Sequence, residues 1–156
     1  MRVVVQRVLE ASVEVDAQVV SSIGPGILIL AAFRGGDGDA DLEWMARKCL
    51  GLRIFEDESG KMNRSVLDVE GHVLVVSQFT LYGDCRKGRR PGFTGSAPAD
   101  EAQRLYREFV DVLNGYYPKV AEGVFGAKMK VRLVNSGPVT LIIDRDGRGL
   151  DESKGV

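Results

Sequence analysis

The stretch Val73-Leu74-Val75-Val76-Ser77-Gln78-Phe79-Thr80-Leu81 begins like a buried strand and then becomes polar, although no turn residue ends it. Its run of valines and leucine is typical of a strand that is covered on both faces. Because strand side chains alternate, Gln78 and Thr80 are predicted to follow Val76 on one side of the strand, with their Cα atoms about 7 Å apart. An amide and a hydroxyl in such a row are hydrogen-bonded in the core or line a pocket, unless the strand simply emerges into solvent.

The length and composition predict a single globular domain. With 156 residues, 44% of them hydrophobic, the chain can bury a full core without disulfides or a metal. Its two cysteines, Cys49 and Cys85, are far apart and lack C-x-x-C spacing, which indicates reduced thiols in a cytosolic protein. The sequence shows neither a signal peptide nor a run of about 20 apolar residues. We therefore expect a soluble, cytoplasmic protein.

Short apolar runs and two amphipathic segments follow one another irregularly along the chain. The first helix has apolar residues at positions 42, 45, 46, 49 and 50, and the second at 102, 105, 106, 109 and 113. Asp37 or Asp39 is expected to cap the first helix, and Gly51 to end it. The predicted strands cover residues 3–5, 11–15, 19–23, 27–32, 52–55, 66–69, 73–81, 128–134 and 139–143.

This order of elements predicts an α+β fold. We expect one domain over residues 1–144, built on a mostly antiparallel sheet that curls toward a barrel and carries two main helices. The remaining residues, 145–156, are polar and rich in glycine, which predicts a frayed C-terminal tail.

The positive charge of this chain is local rather than global. A formal net charge of −1 means that a nucleic-acid partner has to be recognised by a local patch. The loop after the central stretch carries four cations within five residues: Arg86, Lys87, Arg89 and Arg90. Its glycine permits close approach to a phosphate backbone, and the basic residues of 128–132 add to the positive surface. The alternative is an ordinary solvated surface loop.

Few residues are suited to acid–base or metal chemistry. His72 is the only histidine and the cysteines lack ligand spacing, so no metal site is expected. Thr80 is the best-placed hydroxyl, yet the sequence offers no partner base, and Thr80 is expected to position a substrate rather than attack it. The Gly137-Pro138 pair presents fixed carbonyl oxygens that can accept hydrogen bonds from an ammonium group, with its peptide bond either cis or trans.

Two separated motifs carry a family resemblance. Ser77-Gln78-Phe79-Thr80-Leu81, together with Asn135-Ser136-Gly137-Pro138-Val139-Thr140, resembles the motif pair of the D-aminoacyl-tRNA deacylases. The similarity extends across nearly the whole chain, through Gln6-Arg7-Val8, Leu52-Arg53-Ile54-Phe55-Glu56-Asp57, Gly60-Lys61-Met62-Asn63, Gly88-Arg89-Arg90-Pro91 and Phe125-Gly126-Ala127. Ser136 stands where the family more often has aspartate, and Gly92 where serine is frequent.

The resemblance implies a cytoplasmic homodimer that hydrolyses the ester between a D-amino acid and the terminal ribose of tRNA, without a cofactor. In the family the Gly-Pro bond is cis and the pair enters the pocket of the other subunit, which is an isologous contact. By analogy, Gly137 and Pro138 would complete that pocket, with Arg7 and Met129 holding or flanking them. The catalytic residues so implied are Ser77, Gln78, Phe79 and Thr80. The basic loop is expected to bind the tRNA.

Chiral selection in such a site can be explained by obstruction. If the carbonyl oxygens of Gly137 and Pro138 hold the α-ammonium group, an L side chain is driven into the rigid dipeptide. Glycine has no side chain to clash, so glycyl-tRNA, such as that mischarged on tRNA(Ala), is expected to be cleaved as well. Backbone N–H groups near Phe79 and Thr80 would bind the developing oxyanion. Either Thr80 or the neighbouring ribose hydroxyl would activate the water.

Two other functions fit the same residues. A non-catalytic RNA-binding module would use the basic loop, and its tRNA binding would not change in Thr80→Ala. A small-molecule esterase or amidase would use the pocket without tRNA, and it would be insensitive to the neutralisation of Arg89 and Arg90.

Overall fold

The computed structural model of the chain describes residues 1–145. In chain order the elements are β1 (Arg2–Val15), β2 (Gln18–Ile23), β3 (Gly26–Ala32), α1 (Asp39–Gly51), β4 (Phe55–Glu56), β5 (Met62–Arg64), β6 (His72–Ser77), a 3-10 helix (Phe79–Tyr82), α2 (Ala99–Tyr116), β7 (Val120–Glu122) and β8 (Lys130–Asp144). The 3-10 helix is called the 79–82 turn below. Most of the predicted tail, 146–156, lies outside the described residues. Its first residue, Arg145, is held by the Asp41 carboxylate at 3.2 Å.

Strand β1 organises the main sheet. Along one edge it pairs with β8, and along the other with β3 through its first half and with β2 through its second, always antiparallel. The sheet continues from β3 through β6 to β7 by parallel pairing, while β4 and β5 form a separate two-stranded ribbon. The sheet is nearly closed into a barrel and carries two α-helices, which confirms the predicted α+β fold.

The sheet buries apolar side chains on both faces. One layer lies between the sheet and the helices and includes Ile29 of β3, Val75 of β6 and Phe109 of α2. The other fills the inside of the curled sheet and includes Leu28 and Leu74. Successive residues along β3, and likewise along β6, face the two layers in turn. Both faces of each strand are therefore apolar, which explains the continuous apolar sequences from which the strands were predicted. The predicted apolar positions of the two helices are all buried.

Two pairs of predicted strands are single strands in the structure. The runs at 3–5 and 11–15 both belong to β1, because register shifts between Gln6 and Glu10 let the strand bend without ending. The same irregular pairing lets β8 include most of 128–134 and all of 139–143.

Two further strand predictions are wrong in whole or in part. Of the predicted strand 52–55, only Phe55 pairs in a sheet, as part of β4. Residues 66–69 form a turn, since the backbone N–H and the hydroxyl of Ser65 both donate to the Asp68 carboxylate at 2.7 Å. These local hydrogen bonds satisfy the polar groups without a neighbouring strand.

The start of α1 also differs from the prediction. Its N-cap is Gly38, and Asp39 is already the first helical residue. The carboxylate of Asp37 instead contacts the α-ammonium group of Met1 at 2.6 Å, with both groups buried. A buried charge needs its partner, so Asp37 is committed to this ion pair and does not cap the helix. The helix ends at Gly51, as predicted. No helix within residues 1–145 is long and apolar enough to cross a membrane.

Candidate active site

The central strand ends earlier than predicted. Strand β6 stops at Ser77, and the chain then forms the 79–82 turn, with the Leu81 N–H donating to Gln78 O at 3.2 Å. The predicted continuation of the strand to Leu81 is therefore wrong. The reason lies in the neighbouring strand, because β3 ends at Ala32 and offers β6 no partner further along.

Gln78 and Thr80 nevertheless lie side by side, as predicted. Gln78 Nε2 donates to Thr80 Oγ1 at 2.5 Å, and the bend of the turn rather than strand alternation brings the two together. Gln78 is half-buried and Thr80 is exposed, so this pair lies at the surface of the site. A hydroxyl oxygen that accepts this bond keeps its own O–H, which can donate to a bound group.

The turn presents two backbone donors. The first N–H groups of a helix have no partner inside it, and Phe79 and Thr80 occupy these positions. Within residues 1–145, no backbone carbonyl accepts a hydrogen bond from either N–H group. Two neighbouring donors of this kind can bind an oxygen on which negative charge develops.

An apolar cavity of about 370 Å³ lies against the turn. The rings of Phe79 and Phe93 both line it and meet edge to face, with their centroids 5.2 Å apart. Phe33 and Phe125 also line the cavity, and Ser77 lies at its wall. A cavity with aromatic walls accepts a flat or apolar group and disfavours a bare phosphate.

Gly137 and Pro138 form an exposed corner within β8, called the Gly-Pro corner below, and their peptide bond is cis. The buried Arg7 contacts the residue before the corner, since its Nε donates to Ser136 O at 3.0 Å. Its Nη1 donates to Ile54 O at 2.6 Å, so the guanidinium is fixed from two sides. Gly137 has a φ of +126°, and a Cβ placed there would lie 2.7 Å from Arg7 Nη2. The corner therefore has room only for glycine at this position.

Within one chain, the Gly-Pro corner and the 79–82 turn are attached to different parts of β1. Arg2 Nη1 donates to Leu81 O at 3.0 Å, whereas Arg7 contacts the segment before the corner. Five residues of extended strand separate these two arginines, which corresponds to about 17 Å. The fold thus brings Ser77, Gln78, Phe79 and Thr80 together, while Gly137 and Pro138 lie elsewhere on the chain.

The basic loop, residues 86–90, is closed at its base by two backbone hydrogen bonds between Asp84 and Gly92. Arg86 donates to both oxygens of the Asp84 carboxylate, at 2.9 and 2.7 Å. This pairing holds the pKa of the Asp84 carboxyl well below its usual range. The other three cations are exposed and form no ion pair within residues 1–145: Lys87, Arg89 and Arg90. They are the residues of the loop that are available to a phosphate backbone.

The basic residues of 128–132 contribute less positive charge than their number suggests. The carboxylate of Glu14 contacts Lys130 Nζ at 2.8 Å and Arg132 Nη2 at 3.5 Å. One acidic group on the paired strand thus offsets part of this charge, and the basic loop is the stronger candidate for a nucleic-acid contact.

Two residues that shape the site were not predicted from the sequence. Ser96 Oγ donates to Phe79 O at 2.9 Å, across 17 positions that give no sequence signal for the contact. The role of Asp84 could have been found, because a loop carboxylate two residues before an arginine is well placed to pair with it.

Met129, predicted to flank the Gly-Pro corner, packs half-buried against the apolar cluster inside the curled sheet.

Comparison with known proteins finds relatives over nearly the full length of the chain. A family model described as D-Tyr-tRNA(Tyr) deacylase matches residues 4–144. The D-aminoacyl-tRNA deacylase of Desulfitobacterium hafniense (strain DSM 10664 / DCB-2) is 57% identical over 146 residues, which cover 94% of this chain and 98% of that protein.

Two solved structures share the fold. One is described as c-Myc DNA Unwinding Element Binding Protein and matches with a TM-score of 0.89 at 42% identity, covering 94% of this chain and 99% of that one. The other, a probable eukaryotic D-amino acid tRNA deacylase, matches with a TM-score of 0.77 at 23% identity over 92% and 98% of the two chains, which supports the fold alone. Because the family model spans most of the sequence and a relative exceeds half identity, this chain belongs to the D-Tyr-tRNA(Tyr) deacylase family.

Proposed function

We propose that this chain hydrolyses the ester bond between a D-amino acid and the terminal ribose of tRNA, releasing the free D-amino acid and tRNA in the cytoplasm. The observation that carries the proposal is the pair of Phe79 and Thr80 N–H groups beside an apolar cavity, since neither donates to a backbone carbonyl within residues 1–145. Ester hydrolysis needs donors where charge develops on the carbonyl oxygen, and one such donor contributes about 10²–10³-fold in rate. Family membership supports aminoacyl-tRNA as the substrate.

The proposed reaction uses no histidine base. His72 begins β6, five strand residues before Ser77 and about 17 Å from it. Thr80 can orient the attacking water, since Gln78 fixes its hydroxyl oxygen. The ribose hydroxyl next to the ester is the second group that can activate this water.

Chiral proofreading is assigned to the Gly-Pro corner of the partner subunit. Both residues of the corner are exposed, and their carbonyl oxygens would accept hydrogen bonds from the α-ammonium group of the substrate, which fixes the other substituents of the chiral carbon. An L side chain then points into the dipeptide, whereas a D side chain points away from it. The fixed guanidinium of Arg7 supports this role, because a corner that rejects by obstruction has to be rigid. Glycyl-tRNA has no side chain to reject and would also be cleaved.

A homodimer is proposed because the corner of one chain lies far from its own turn. An apolar row on the sheet supports this assembly: Val4 pairs with Leu30 on one side and with Ile142 on the other, and Ile142 is 68% exposed. Cross-strand partners share a face, so these side chains form one patch, which adjoins the apolar cluster inside the curled sheet through Leu30. The next pair along this face, Gln6 and Thr140, leads from the patch toward the corner. The patch thus lies between the 79–82 turn, which is attached near Arg2, and the Gly-Pro corner, which is attached near Arg7. A two-fold partner that covers the patch would therefore bring its own corner close to the turn.

Replacing Ile142 by arginine is expected to convert the dimer into monomers, because a buried, unpaired charge at a subunit contact is costly. Hydrolysis of D-tyrosyl-tRNA should fall at least tenfold at nanomolar protein and recover partly at micromolar protein, as mass action requires. Sedimentation velocity measures the assembly. Val19→Arg is the matched control, since Val19 is an exposed valine on β2 outside the patch. Dimers that persist in Ile142→Arg would contradict the proposed interface.

Replacing both Arg89 and Arg90 by alanine is expected to raise KM for D-tyrosyl-tRNA by about tenfold with little change in kcat. Phosphate contacts contribute to binding throughout the reaction, and their loss also weakens the salt dependence. Arg86→Ala should have a smaller effect because Asp84 already neutralises Arg86. The test is steady-state kinetics at several salt concentrations. Equal effects of Arg86→Ala and Arg89→Ala would mean that the loop does not contact the substrate as proposed.

Two rival functions make different predictions. The name of the structural relative records binding to a DNA unwinding element. A purely nucleic-acid-binding protein could use Lys87, Arg89 and Arg90, which form no ion pair in the described part of the chain. Such a protein would bind tRNA or DNA and leave the ester intact. A small-molecule esterase would cleave D-tyrosine ethyl ester as fast as D-tyrosyl-tRNA, and its rate would not change when Arg89 and Arg90 are replaced.

The proposed function is tested by measuring the release of amino acid from three charged tRNAs by the wild-type protein. D-tyrosyl-tRNA and glycyl-tRNA are expected to be cleaved, and L-tyrosyl-tRNA to be cleaved far more slowly. Absence of D-tyrosine release would refute the function. Equal release of D- and L-tyrosine would support the hydrolase activity but refute the chiral selection.

A further inference from the structure

The hydroxyl of Ser96 holds the start of the 79–82 turn from outside. Ser96 lies in the segment before α2, and its Oγ donates to Phe79 O at 2.9 Å. Three residues earlier in the same segment, the ring of Phe93 meets the ring of Phe79 edge to face. Ser96 and both rings line the apolar cavity, and the hydrogen bond lies at its exposed rim. The segment therefore fixes both the side chain and the carbonyl group of Phe79.

The carbonyl group that Ser96 holds belongs to the same peptide unit as a proposed oxyanion donor. Phe79 C=O and Thr80 N–H lie in one plane and, in a trans peptide, point in opposite directions. A hydrogen bond that fixes the direction of the carbonyl therefore also fixes the direction of the N–H. This matters because, within residues 1–145, the Thr80 N–H has no backbone acceptor of its own to orient it.

The other end of the turn is held independently. Arg2 Nη1 donates to Leu81 O at 3.0 Å, and the guanidinium lies over the Tyr82 ring at 5.3 Å. These contacts do not involve Ser96. Within the 3-10 helix the Phe79 carbonyl also faces the Tyr82 N–H, three residues on. Loss of the Ser96 hydroxyl is therefore expected to loosen the Phe79–Thr80 peptide group and change its direction, while the rest of the turn keeps its anchor.

We propose that Ser96 is a positioning residue that aims the Thr80 N–H at the developing oxyanion, an inference that rests on the ester hydrolysis proposed above. A donor to the oxyanion acts in the transition state and not on the bound ester. If the N–H group no longer points at the oxyanion, kcat falls and KM is unchanged. A residue that merely stabilises the fold would instead lower the fraction of active enzyme and the unfolding temperature.

The test compares steady-state kinetics of Ser96→Ala, Ser96→Thr and Ser96→Val on D-tyrosyl-tRNA. Ser96→Ala is expected to lower kcat roughly tenfold, less than the 10²–10³-fold loss of a deleted donor, with KM within about twofold of wild type. Ser96→Thr should restore most of kcat. Threonine and valine have nearly the same shape, so the difference between those two variants isolates the hydroxyl even if Ser96→Ala folds poorly. Thr94→Ala is the control, since Thr94 is an exposed hydroxyl residue nearby.

Each outcome decides the inference separately from the proposed function. A normal kcat in Ser96→Ala, with wild-type protein active, would overturn the role of Ser96 and leave the hydrolase intact. A raised KM at constant kcat would also overturn it, because Ser96 would then be a binding residue. Equal kcat values for Ser96→Thr and Ser96→Val would overturn it as well, since the hydroxyl would be irrelevant. An inactive wild-type protein would instead refute the function itself.

Discussion

Replacing Phe79 by proline is expected to lower kcat for D-tyrosyl-tRNA by about 100- to 1,000-fold, the effect of deleting one oxyanion donor. Proline has no N–H, and it is tolerated at the first position of a helix, where that N–H has no partner inside the helix. Gln78, which precedes it, has a φ of −144° and a ψ of 73°, outside the helical region that proline disfavours in its predecessor. The backbone of the turn is therefore expected to survive the change.

Phe79→Leu is the matched control for this substitution, because it also removes the aromatic ring but keeps the backbone N–H. Single-turnover release of D-tyrosine measures both variants, and thermal unfolding checks that each is folded. Phe79→Leu is expected to retain most of the activity that Phe79→Pro loses. If the two variants are equally impaired, the ring matters and the amide does not, and the oxyanion site has been misplaced.

Replacing Gly137 by alanine is expected to lower kcat/KM for D-tyrosyl-tRNA by about 100-fold, because misplacement by about 1 Å is enough for such a loss. The φ of +126° disfavours any L side chain, and a Cβ would lie 2.7 Å from Arg7 Nη2 and 2.9 Å from Val139 Cγ2. The corner has to shift to relieve these contacts. Its carbonyl oxygens then no longer match the ammonium group of the substrate.

The control for Gly137→Ala is Gly115→Ala in the last turn of α2, where an added Cβ meets nothing within 4 Å. This control should leave activity unchanged and slightly stabilise the helix, by about 1 kcal/mol or less. Competition between D- and L-tyrosyl-tRNA measures the selectivity of Gly137→Ala directly. Unchanged kcat/KM and unchanged selectivity in Gly137→Ala would exclude the corner from the site.

The parts of the fold that sequence predicts well are those set by local periodicity. The apolar runs of β3 and β6 are continuous because both faces of these strands are buried, and the helical spacing of Leu105 and Phe109 places them on the buried face of α2. The side-by-side position of Gln78 and Thr80 was also predicted, although from strand geometry that the structure does not contain.

The parts that could not be predicted depend on partners distant in sequence. Strand β6 stops at Ser77 because β3 offers no partner further along, which no local pattern reveals. Asp37 does not cap α1 because the ammonium group of Met1, 36 residues away, requires its carboxylate. The contact of Ser96 with Phe79 is likewise created by the fold. Local patterns predicted which residues form the candidate site, and tertiary contacts determined its geometry.

Mixed dimers distinguish whether the Gly-Pro corner completes the 79–82 turn of the partner subunit or that of its own chain. Phe79→Pro and Gly137→Ala subunits are unfolded together in equal amounts, refolded, and assayed on D-tyrosyl-tRNA. Random pairing gives about half mixed dimers, in which one of two sites combines an intact turn with an intact corner from the partner. If the corner acts on the partner's turn, the mixture should recover about a quarter of wild-type activity. A mixture no more active than its two parent variants would show that it does not.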